Sequence, residues 1–94
     1  MKQQDEVIGV QEKIICLLGT FGISPFSVIF TYGLDNGGLL AMTFWLSSEV
    51  NEFLEKVEYR SICDKSGYLI LESNNTIILS GYALIDIYSR AQQI

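Results

Sequence analysis

Few residues in this chain could do chemistry, and their spacing assembles no site. There is no histidine among the 94 residues, so neither a Ser-His nor a Cys-His pair can form and no imidazole base exists. Cys16 and Cys63 are far apart and make no CxxC pair. Two thiols without histidine are too few ligands for a metal site, and they read as ordinary free cysteines. The carboxylates Asp35, Asp64, Glu72 and Asp86 stand singly, outside any paired acid–base arrangement. The run Gly33-Leu34-Asp35-Asn36-Gly37-Gly38 resembles a phosphate loop only in its glycines. It lacks the lysine and joins two strand-like segments rather than a strand to a helix. The expectation is a protein without catalysis, metal or cofactor.

One polar residue is out of place. On a helix, Gln11 falls inside the apolar arc between Val7 and Ile15, and a buried amide needs partners. Either it caps a loop or sits at a damp edge, or that arc faces a second chain or a ligand. The alternatives for a ligand pocket place Gln11 or Asp86 between helix and sheet.

The elements that must position these residues follow from periodicity. Residues 5–21 carry Val7, Val10, Ile14, Leu17, Leu18 and Phe21 on one side at a spacing of about 3.6. Asp5 suits the cap of this helix, and Gly22 its terminator. From Phe26 to Leu46 two β-rich segments meet at Asp35-Asn36-Gly37, a loop suited to a hairpin. A three-residue loop sets Tyr32 opposite Leu40, Phe30 opposite Met42 and Val28 opposite Phe44. The other face then carries Ile29, Leu39 and Trp45 with Ser27, Thr31, Ala41 and Thr43. Ser47-Ser48 offers a cap for a helix over 49–59, with Val50, Phe53, Leu54 and Val57 as its stripe and Glu49, Glu52, Glu55 and Glu58 opposite. A second hairpin is predicted from Tyr68–Glu72 and Thr76–Leu79 around Ser73-Asn74-Asn75. Residues 81–94 alternate poorly as a strand and read better as a helix capped by Ser80, with Asp86 reaching Arg90.

The order α-ββ-α-ββ-α predicts one domain over residues 1–94: an α+β two-layer sandwich with three helices and a four-stranded antiparallel sheet from two hairpins. Apolar residues make up 49% and charged residues 18%, enough for a packed core. No apolar run reaches the roughly 18 residues of a membrane span. Met1-Lys2-Gln3-Gln4-Asp5-Glu6 carries two acids where a secretory leader would be basic and then apolar, which predicts a cytoplasmic protein. A net charge of −5 and a pI near 4.4 disfavour direct nucleic-acid binding and admit a basic protein partner.

Three short helices cannot cover this much apolar strand. The surplus predicts a docking surface on the sheet at Ile29, Tyr32, Leu39 and Trp45, with the acidic helix residues Glu49, Glu52, Glu55 and Glu58 as a second contact. The expected function is a small acidic protein-binding protein that inhibits or neutralises a partner macromolecule, of the immunity-protein, antitoxin or phage-borne inhibitor type. A homodimer is expected on the same grounds. The alternative is a small acidic dimeric chaperone or adaptor of secretion systems: Gly67–Glu72, Thr76–Leu79 and the helix that follows are similar in pattern, though in no specific motif, to the second half of those chaperones. A further alternative is a small-ligand-binding domain or enzyme with a helix–sheet pocket.

Overall fold

A computed structural model of the chain describes residues 2–32, 38–57, 68–71 and 74–93, with side chains described over 7–32, 38–57 and 74–93. The elements are α1 (Lys2–Thr20), β1 (Ser27–Thr31), β2 (Leu39–Thr43), α2 (Ser47–Lys56), β3 (Tyr68–Leu71), β4 (Thr76–Ser80) and α3 (Gly81–Gln92).

Helix α1 buries Val10, Ile14, Leu17 and Leu18, one stripe at helical period. It stops at Gly22, whose φ of +77° is the left-handed region where a glycine carries no Cβ penalty. There the Gly22 N–H donates to the Gly19 carbonyl and the Ile23 N–H to the Leu18 carbonyl. Ile23 and Leu18 are both buried, which completes a Schellman stop.

The strands are antiparallel, in the order β1-β2-β4-β3. The expectation of a four-stranded sheet built from two hairpins needs correction. Among the described side chains the core face is three-stranded, β1-β2-β4: Val28 and Phe30, Leu40 and Met42, and Ile77 and Leu79 are buried on it. β3 is a four-residue strand along the outer side of β4. β2 and β4 are the central strands, and β1 and β3 are the edges.

The register of the first hairpin also differs. Phe30 pairs with Leu40 and Val28 with Met42, two residues away from the expected pairing. A shift of two preserves which side chains share a face. One local cause is visible at Gly38, whose φ is +145°. A Cβ there would lie 2.5 Å from the Phe30 ring, so the strand can lie against the ring only without a side chain.

Helix α2 begins earlier than expected. Leu46 is its N-cap, and no side chain, serine included, caps it. Instead the Leu46 N–H donates to Glu49 Oε1 at 2.9 Å, one turn on. Val50, Phe53 and Val57 anchor this helix, and the Phe53 ring lies 5.8 Å from Phe44 and 6.3 Å from Phe21. β4 passes into α3 without a linker, and Ala83, Leu84, Ile87 and Ala91 face inward. Residues 81–92 are thus helical, and Arg90 Nε lies 3.2 Å from Asp86 Oδ2. All three helices contribute to one core cluster, and its sheet residues all belong to one face.

Candidate functional site

The other face of the sheet is open. Strand alternation places Ile29 beside Ala41 and Ala41 beside Ile78, while Leu39 lies between Thr31 and Ser80. Ile29 is 54% exposed, Leu39 43%, Trp45 62% and Phe26 58%. Ala41 and Ile78 are half-buried, which their central strands explain. The backbone register sets Leu69 of β3 next to Ile78.

At one end of this face the aromatic pair is held in place. The Phe26 N–H donates to the Thr43 carbonyl at 2.8 Å, extending the ladder beyond β1. The Phe44 N–H donates to the Asn75 carbonyl at 2.8 Å. Asn75 Nδ2 in turn reaches the Trp45 carbonyl at 3.4 Å. Both sides of Trp45 are thereby tied to the turn before β4. Its ring meets Phe26 edge to face, with centroids 4.6 Å apart and planes at 87°. Such a pair is worth about 0.5–1.5 kcal/mol, so the rings stand ready rather than collapsing into the sheet. Leu46, also exposed, follows directly.

The sequence-predicted site residues divide. Ile29 and Leu39 share the open face, and Trp45 is exposed just beyond the end of β2. Tyr32 does not: it is half-buried on the core side, its ring 5.0 Å from Phe30 at 74°. Its parity with Phe30 along the strand is the signal that puts it there. Phe26 was not among the predicted residues. It precedes β1, is exposed, and packs edge to face against Trp45. On α2, Glu52 and Glu55 are exposed and Glu49 is half-buried, engaged with the Leu46 N–H. Glu58 lies outside the described residues, as do Asp35, Cys63, Asp64 and Glu72.

The polar residue in the apolar arc is accounted for. Gln11 Oε1 accepts the Phe30 N–H at 3.0 Å. β1 is an edge strand, so this outward N–H has no strand to pair with, and the Gln11 amide satisfies it. Asp86 is engaged with Arg90. Among the described residues no polar or charged side chain is buried, and no group of three or more His, Cys, Asp or Glu lies together. No helix among them is long and apolar enough to cross a membrane.

The class defined by fold and site is an α+β domain with helices on one side of an antiparallel sheet and an apolar, aromatic surface on the other. No protein-family model, curated protein or solved structure matches the chain.

Proposed function

We propose that this protein acts by binding another protein through the open face of its sheet, inhibiting or neutralising that partner without catalysis, as immunity proteins, antitoxins and phage-borne inhibitors do. The observation that carries the reading is the exposure of Ile29, Leu39 and Trp45, each more than two-fifths exposed, with Phe26 against Trp45. Exposed apolar surface marks interaction sites, and tryptophan is a favoured anchor. A chain of net charge −5 favours a basic partner, since opposite charge speeds encounter and like charge slows it. The exposed carboxylates of α2, which starts two residues after Trp45, suit the same partner.

Self-association through this face is the competing reading, and the sign of the charge tells against it. Light scattering across a dilution series separates the two. A monomer with the face open supports a foreign partner, whereas a tight dimer that dissociates on Trp45→Ser would replace that reading with a homodimer. The partner itself is to be captured from the native host, identified, purified and titrated against the wild-type protein and the Ile29→Ser, Leu39→Ser and Trp45→Ser variants. Each variant is expected to weaken affinity while the fold persists. Equal affinity across the set would refute the proposal.

A further inference from the structure

On the opposite side of the sheet, residues of α1, α3 and the end of β1 line an open cavity of about 650 Å³. That is within the range of small-molecule sites, which are mostly apolar with a few polar groups. Its floor is Phe30 and Tyr32, locked edge to face. Its walls are Val10 of α1 and Leu84 and Tyr88 of α3. Lys13 is the one charged residue in the lining. It is exposed and makes no ion pair with another described residue.

The mouth of the cavity contains a glycine that packing does not require. Gly9 sits in the interior of α1, where glycine costs about 1 kcal/mol relative to alanine. A Cβ at this position would meet nothing within 4 Å. Gly9 lines the cavity, and a larger side chain there would occupy its opening. Three aromatic rings in the lining and a single cation at the rim define the ligand chemistry: a flat ring system to lie among Phe30, Tyr32 and Tyr88, and one negative charge to meet the Lys13 ammonium.

We infer that the cleft between α1 and α3 is a binding site for a planar aromatic monocarboxylate, stacked among Phe30, Tyr32 and Tyr88 and paired through its carboxylate with Lys13. The site is separate from the open sheet face, and neither depends on the other.

The test uses 2-naphthoate and its neutral counterpart 2-naphthamide, titrated by calorimetry and followed by amide chemical shifts. Saturable naphthoate binding is expected, with shifts centred on Val10, Lys13 and Tyr88. The amide should bind roughly fivefold more weakly, the scale of one exposed ion pair. Lys13→Gln should erase that difference without disturbing the fold, because the side chain is exposed. Gly9→Leu should weaken both ligands by about tenfold or more, and Trp45→Ser should leave both unchanged. Absence of saturable binding, shifts confined to the Trp45 face, or a naphthoate preference that survives Lys13→Gln would overturn the inference. Should Gly9→Leu fail to fold, the Lys13→Gln comparison still decides.

Discussion

At the scale of single residues, two positions explain features that pattern alone left open. Gln11 is a polar residue in an apolar arc because its amide closes an unpaired N–H on an edge strand. Replacing it with leucine keeps the volume and removes the acceptor. The cost of a neutral hydrogen bond to a partly buried group is about 1 kcal/mol, to be read by urea unfolding, and the Phe30 amide should exchange with solvent faster than its neighbours. Unchanged exchange at Phe30 would mean that the bond contributes nothing. Gly38 is the second position. A Cβ there would lie 2.5 Å from the Phe30 ring, so alanine must displace the ring or the strand, and its positive φ adds backbone strain. Gly38→Ala is expected to destabilise by about 1–3 kcal/mol and to shift the ring resonances of Phe30 and Tyr32.

Neither feature was readable in advance. The partner of Gln11 is 19 residues away in the chain, so its misfit was visible but its resolution was not. The hairpin shows the same limit. Alternation divides Ile29, Leu39 and Trp45 from Phe30, Leu40 and Met42 whatever the loop length, provided the register moves by an even number. The faces were therefore legible, while the pairing, set by how Phe30 covers Gly38, was not. Tyr32 lay on the inner side by parity, yet the surplus of aromatic residues suggested a role outside. Its stacking on Phe30 answers that.

At the scale of elements, α2 is anchored around one large ring. Phe53 is fully buried and makes ring contacts with both Phe21 and Phe44, so it ties α2 to the end of α1 and to the segment after β2. Phe53→Ala should cost about 3–5 kcal/mol, measured by thermal or urea unfolding. Because Phe44 precedes Trp45, the variant should also loosen the exposed aromatic pair. Helix α1 offers the opposite test. Gly9→Ala adds a Cβ into open space and should stabilise by about 0.5–1 kcal/mol. Helical period made α1 and α3 readable from their apolar stripes. The start of α2 was misplaced because a glutamate reaching back to the Leu46 N–H replaces the serine caps that composition suggested.

At the scale of the whole molecule, the described helices pack on one side of the sheet, and Ile29 and Leu39 stand exposed on the other. The fold needs Leu40, Met42, Ile77 and Leu79 turned inward. It does not need Ile29, Leu39, Trp45 or Phe26 turned outward, and polar residues at those positions would fold as well. Substitutions at Ile29 and Leu39 should therefore change stability by less than about 0.5 kcal/mol apiece, and those at Phe26 or Trp45 by no more than the roughly 0.5–1.5 kcal/mol of their ring pair, while core substitutions on the same strands should unfold the protein. Adding salt should slow association with a basic partner, because the Debye length falls from about 10 Å at 0.1 M to 3 Å at 1 M.

Trp45 is the single tryptophan of the chain, so its fluorescence reports on the docking face with no other indole to confuse it. The decisive measurement is acrylamide quenching of that emission, first for the protein alone at submicromolar concentration and then saturated with its purified partner. An open docking face gives strong quenching when free, and a blue-shifted, protected indole when bound. A tryptophan already shielded in the free monomer, or one equally quenched with and without the partner, would contradict it.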